Sequence, residues 1–121
     1  MTEKLFSSEI RIMELLWKNG KMSAKELAAA LAESIGWSKT TTYTVIKKCI
    51  EKGAVIRTEP GFVCEAAVTR SEVCESETFE LIDRLFGGSP DLLVSALVGS
   101  GKISSEELKK LRETIKNLEE E

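Results

Sequence analysis

Helix punctuation is the feature that most limits what this chain can fold into. Ile10, Met13, Leu16 and Trp17 recur at helical spacing, and Asn19-Gly20 stops them. Ser7 or Ser8 is expected to cap that first helix, with Glu9 in its first turn. Ser23 followed by Glu26 is a capping-box signature. The helix it opens carries Leu27, Ala30 and Leu31 on one side, has Ala24 and Ala28 for close approach, and ends near Ser34-Ile35-Gly36. Ser38 is a good cap for a third helix that runs to about Lys52, with Gly53 as a left-handed stop. Residues 54–57 then read as a strand, Glu59-Pro60-Gly61 as a turn and residues 62–66 as a returning strand.

Three short helices closed by a β-hairpin form the winged variant of the helix-turn-helix, in which the third helix enters the DNA major groove. The third helix has suitable chemistry. Its inner face is Thr42, Val45, Ile46, Cys49 and Ile50; Lys39, Thr40, Tyr43, Thr44, Lys47 and Lys48 lie outside, with Thr41 at the border. Short hydroxyl side chains let a helix approach base edges, and cations hold phosphates. Lys39, Lys47 and Arg57 are the expected phosphate contacts; Thr40, Thr41, Tyr43 and Thr44 face bases or the backbone. Four threonines are costly on an exposed helix, because β-branched side chains lose χ1 freedom there.

After Ser71 the pattern changes. A helix with Phe79, Leu81, Ile82, Leu85 and Phe86 runs to Gly87-Gly88. Ser89-Pro90 opens another, nearly continuously apolar through Leu92, Leu93, Ala96, Leu97 and Val98. Beyond Gly99-Ser100-Gly101, Ser104 begins a last helix with Leu108, Leu111, Ile115 and Leu118 on one face. Helices this apolar, in so short a stretch, are expected to pair with a second copy. The expected organisation is therefore mainly α with a small β-hairpin: a winged-helix DNA-binding domain over residues 1–70 and a three-helix dimerisation domain over residues 71–121. Leu85, Phe86, Leu93, Leu97, Leu108, Leu111 and Ile115 are the expected dimer contacts.

Charge supports that division. Residues 1–70 hold 11 Lys/Arg against 8 Asp/Glu, and residues 71–121 hold 6 against 12. Only the first half is suited to a polyanion.

The chain has no histidine, which excludes Ser-His-Asp and Cys-His catalysis and imidazole metal sites. Nothing pairs the carboxylates in a pocket, and the glycine pairs lack phosphate-loop spacing, so no enzyme activity, cofactor or metal is expected. Cys49, Cys64 and Cys74 are odd in number and lack CxxC spacing, which fits a reducing compartment; they read as packing residues. No apolar run reaches membrane length and the N-terminus lacks a signal-peptide core, so a soluble cytoplasmic protein is expected.

The run Trp37-Ser38-Lys39-Thr40-Thr41-Thr42-Tyr43-Thr44, closed by Lys52-Gly53, resembles the recognition-helix signature of the penicillinase and methicillin-resistance repressor family (BlaI/MecI type). Ser8-Glu9 through Leu16-Trp17, Arg84-Leu85-Phe86-Gly87-Gly88-Ser89 and Ile103-Ser104-Ser105-Glu106-Glu107-Leu108 match in order, so the resemblance spans nearly the whole chain. It implies a homodimeric repressor that binds a palindromic operator in double-stranded DNA and blocks polymerase. It also implies an inducing protease as partner, with cleavage near Ala96-Leu97, where the family has Asn-Phe and this chain has neither residue. Other departures are Lys39 in place of a frequent proline, Tyr43 in place of a polar or cationic residue, and a wing turn without basic residues, which leaves Arg57 as its nearest cation. A related copper-responsive branch has a Cys-rich tail; residues 116–121 contain no cysteine. The competing reading is a winged-helix protein-interaction scaffold without specific DNA binding.

Overall fold

The computed structural model describes residues 3–120. Its elements are α1 (Ser7–Asn19), β1 (Met22–Ser23), α2 (Ala24–Ile35), α3 (Lys39–Glu51), β2 (Val55–Thr58), β3 (Val63–Ala66), α4 (Arg70–Leu85), α5 (Pro90–Gly99) and α6 (Ser105–Glu119). The chain divides into two compact units, residues 1–75 and 76–121, with the division inside α4.

In the first unit the caps act where the sequence places them. The Ser23 hydroxyl accepts from the Glu26 N–H at 3.1 Å, and the Glu26 carboxylate accepts from the Ser23 N–H at 3.0 Å. Gly36 ends α2 in the left-handed region, which costs a glycine little. Ser38 caps α3 by accepting from the Thr41 N–H at 3.1 Å.

The start of α1 differs. Its N-cap is Phe6, not Ser7 or Ser8. Glu9 supplies the reason: its Oε1 accepts from the Phe6 N–H at 2.7 Å, and the Phe6 carbonyl accepts from the Glu9 N–H at 3.0 Å. The side chain three residues into the helix satisfies the cap's own N–H, so both serines fall inside the first turn.

Burial organises the three helices. Ile12, Met13 and Leu16 of α1, Leu27 and Leu31 of α2, and Val45, Ile46 and Cys49 of α3 meet in one core, joined by Val55 of β2, Cys64 of β3 and Val68. Each fully buried aliphatic side chain stabilises the fold by roughly 1.5–3 kcal/mol. The buried stripe of α1 is Glu9, Ile12, Met13 and Leu16; the expected Ile10 and Trp17 lie at its half-buried margin. Trp17 donates its indole N–H to the Val68 carbonyl at 2.9 Å and stacks beneath Arg70.

The hairpin becomes a three-stranded antiparallel sheet in the order β1-β3-β2. Met22 pairs with Cys64 and Ser23 with Val63, so the short segment before α2 is a ladder strand. On the other side Val55 pairs with Ala66 and Thr58 with Val63.

In the second unit Ser104 caps α6 through a reciprocal box with Glu107. Among its described residues only Ile82 is a buried hydrophobic; α5 and α6 bury none. Leu85, Leu92, Leu97, Leu111, Ile115 and Leu118 are exposed, from 42% to 64%. Phe86, Leu93 and Leu108 are half-buried. Ala96 and Leu97 lie within α5. Among the described residues, no helix is long and apolar enough to cross a membrane.

Candidate nucleic-acid interface

The exposed face of α3 follows from what its inner face buries. Thr42, Val45, Ile46 and Cys49 are fixed in the core, so the helical repeat turns Lys39, Thr40, Thr44, Lys47 and Lys48 to solvent. Tyr43 sits half-buried beside them.

The four threonines divide into different roles. Thr42 is fully buried and donates to the Ser38 carbonyl at 3.2 Å. Thr41 is tied to the cap, accepting from the Ser38 hydroxyl at 2.9 Å. Thr44 donates back to the Thr40 carbonyl at 2.9 Å, so its hydroxyl retains only acceptor capacity. Thr40 alone has a hydroxyl with no hydrogen-bond partner among the described residues.

Lys39, Thr40, Tyr43, Thr44 and Lys47 line a shallow depression together with Phe62, in the turn of the wing. Tyr43 and Phe62 meet edge to face, with centroids 5.7 Å apart and rings at 89°. The Lys39 ammonium lies 5.7 Å from the Tyr43 ring centre. Lys39 and Lys47 have no ion-pair partner among the described residues.

Phe62 is a site residue that the sequence pattern hides, since it reads there as the first residue of a strand. The structure starts β3 at Val63 and leaves Phe62 in the turn with φ of 47°, a left-handed conformation uncommon outside glycine. Its carbonyl accepts from the Ala24 N–H at 2.9 Å, and its N–H donates to Glu59 Oε2 at 3.1 Å.

Arg57 is not free at the wing. Its Nε donates to Glu59 Oε1 at 2.6 Å, a terminal nitrogen bonds the same oxygen, and the guanidinium stacks 3.5 Å from the centre of the Phe62 ring. The Phe62 N–H, and then the Arg57 guanidinium, hold the Glu59 carboxyl below the usual carboxylate range.

A second arrangement missed in the sequence fixes α3 from behind. Glu9 of α1 is 1% exposed, and its Oε1 accepts from the Lys52 ammonium at 2.7 Å, at the C-terminal end of α3. Lys52 also donates to the Lys4 carbonyl at 2.8 Å and lies over the Phe6 ring. Burial pushes the Glu9 carboxyl up, but the Lys52 hydrogen bond, the Phe6 N–H and the charges of Lys52 and Lys48 together bring it below the ordinary value.

Three helices packed around an apolar core, a capped third helix with a polar, cationic outer face, and a hairpin beside it define a winged helix-turn-helix protein. The penicillinase repressor family matches residues 5–117, and the chain belongs to that family. The penicillinase repressor of Bacillus licheniformis is 24% identical over 110 residues, covering 89% of this chain and 86% of that protein. The methicillin resistance regulatory protein MecI of Staphylococcus aureus is 23% identical over 113 residues, covering 92% of each. The solved DNA-binding domain of the repressor BlaI superposes with a TM-score of 0.54 at 25% identity, over 60% of this chain and 93% of that domain. The Bacillus licheniformis BlaI monomer solved in complex with the blaP half-operator has the same fold, with a TM-score of 0.53 at 24% identity, over 60% of this chain and 90% of that one.

Proposed function

We propose that this protein is a DNA-binding transcriptional repressor that acts as a homodimer on an inverted-repeat operator. One observation carries the reading: the outer face of α3 brings Lys39, Thr40, Tyr43, Thr44 and Lys47 together on one surface, while Thr42, Val45, Ile46 and Cys49 on the opposite face are buried in the core. Lys39 and Lys47 neutralise phosphates. Thr40, with an uncommitted hydroxyl, hydrogen-bonds a base edge or the backbone; Thr44 presents its methyl and an acceptor. Thr41 borders this surface and shares its hydroxyl with the cap.

The exposed apolar residues of α4, α5 and α6 support self-association. Leu85, Phe86, Leu93, Leu97, Leu108, Leu111 and Ile115 are assigned to that contact, since side chains this apolar gain about 25 cal/mol for each Å² removed from water. Two-fold symmetry then requires two half-sites related by inversion. One relative is named a penicillinase repressor, and the BlaI monomer that shares the fold is solved with a half-operator, which favours the same role here.

The test is fluorescence anisotropy on duplexes tiled across the protein's own promoter, with a scrambled duplex as control, at several salt concentrations. Tight, salt-dependent binding to one inverted repeat is the expected result. No binding at low salt overturns the reading and favours a protein-interaction scaffold.

A further inference from the structure

We propose that Glu59 is a positioning residue that withholds Arg57 from the DNA backbone, so that the wing of the native protein supplies no phosphate contact. The inference rests on the DNA-binding reading above and deepens it.

Arg57 is the nearest cation to the wing turn, and by position it should serve as the wing's phosphate ligand. Its bonding argues otherwise. Glu59 engages the guanidinium through both Nε and a terminal nitrogen, which occupies one whole edge of the donor fork. The Phe62 ring covers one face of the group. The carboxylate itself cannot swing away freely, because its other oxygen accepts from the Phe62 N–H. Phe62 is in turn fixed by the Ala24 N–H on its carbonyl and by Tyr43 on its ring. Arg57 is therefore held through Glu59 and then Phe62, which is anchored to Ala24 of α2 and to Tyr43 of α3.

The charge consequence is local. An Arg–Glu pair has no net charge, and a phosphate that approached Arg57 would meet the Glu59 carboxylate beside it. Both side chains are about half exposed, so the pair stands at the surface where DNA would pass and is not a core element. With this cation neutralised, the phosphate contacts beside the wing fall to Lys39 and Lys47 of α3, which have no ion-pair partner among the described residues.

The slope of log affinity against log salt tests this, because it counts phosphate contacts and does not respond to a modest loss of stability. Each contact contributes about −0.9 on B-DNA. Glu59→Gln keeps an acceptor for the Phe62 N–H while it removes the charge that holds Arg57. On full-length dimer and a single duplex, Glu59→Gln is expected to steepen the slope by about 0.9, which is roughly a 3.5-fold greater loss of affinity between 50 and 200 mM salt. Adding Arg57→Gln to Glu59→Gln is expected to abolish that gain. Thermal unfolding of each variant confirms that the hairpin is intact. An unchanged slope in Glu59→Gln overturns the inference, since Arg57 then either already bonds phosphate or never reaches it. A steeper slope that persists in the double variant also overturns it, because the gain then comes from lost repulsion alone. If the unsubstituted protein binds no duplex at 50 mM salt, the DNA reading fails and this inference with it, a result distinct from the other two.

Discussion

Replacing Lys52 by methionine isolates one buried charge and gives a quantitative test of how α3 is held. Glu9 is 1% exposed; its Oε1 accepts from Lys52 and Phe6, and its Oε2 has no protein partner. Without Lys52 the carboxylate retains only the Phe6 N–H. Breaking a buried pair by removing one partner costs about 3–5 kcal/mol. The protein has an alternative, which is to protonate Glu9. Neutralising an ordinary glutamate at pH 7 costs about 3.7 kcal/mol, and this caps the penalty. The expected loss at pH 7 is thus about 3–4 kcal/mol, near half the stability of a domain this size. In a domain of 60–100 residues that lowers the melting temperature by roughly 12–30 °C. The pH dependence identifies the cause. In the native protein the Glu9 pKa is lowered, so its contribution is present above the ordinary carboxylate range and is lost as pH falls through the folded value. In Lys52→Met the stranded carboxyl shifts upward, so the deficit shrinks as pH falls towards 5. Urea unfolding followed by circular dichroism at pH 7 and pH 5 measures both. A deficit below about 1 kcal/mol at pH 7, or one that does not shrink at pH 5, would refute the reasoning.

Two further outcomes follow from burial. Cys49 and Cys64 are fully buried, burial and then the Glu9 charge push the Cys49 thiol up to about 12, and burial raises Cys64, whereas Cys74 is exposed on α4; a thiol reagent at pH 8 should therefore label Cys74 rapidly in the native protein and the other two only in denaturant. Leu111 is 42% exposed on the apolar face of α6; Leu111→Glu should weaken self-association at least about tenfold in sedimentation equilibrium, since an unpaired charge in an apolar contact costs more than the 1.4 kcal/mol that a tenfold change represents, and a dimer of undiminished affinity would place the contact elsewhere.

The parts of this fold legible in the sequence are those set by short-range chemistry. Ser23 with Glu26, Ser38 and Gly53 act within a few residues of themselves, so their letters suffice to place α2 and α3. The inner face of α3 follows from its period, and Thr42, Val45, Ile46 and Cys49 are buried as that period requires. What the letters hide are contacts whose partners lie far along the chain. Glu9 reads as an ordinary first-turn acid, and nothing near it indicates that Lys52, 43 residues away, neutralises it in the core. Phe62 reads as a strand residue because its left-handed turn conformation is imposed by Glu59 and Ala24 together. The Arg57–Glu59 pair did have a signal. Residues two apart on an extended segment share a side, so opposite charges at that spacing beside a turn can meet.

The clamp between α1 and α3 also explains how a poor helix sequence can serve as the presented helix. Threonine at four of the first six positions of α3 costs up to about 0.7 kcal/mol each relative to alanine, close to 3 kcal/mol in all. Burial of Val45 and Ile46 alone offsets that, at roughly 1.5–3 kcal/mol each. Ser38 fixes the N-terminal end with a cap of about 1 kcal/mol, and Lys52 ties the C-terminal end to Glu9. None of these terms uses the outer face. Lys39, Thr40, Thr44 and Lys47 are consequently released from any duty to stabilise the helix, and substitutions there should alter what α3 contacts with little effect on whether it forms. A helix supported in this way can change its recognition surface while the fold around it stays the same.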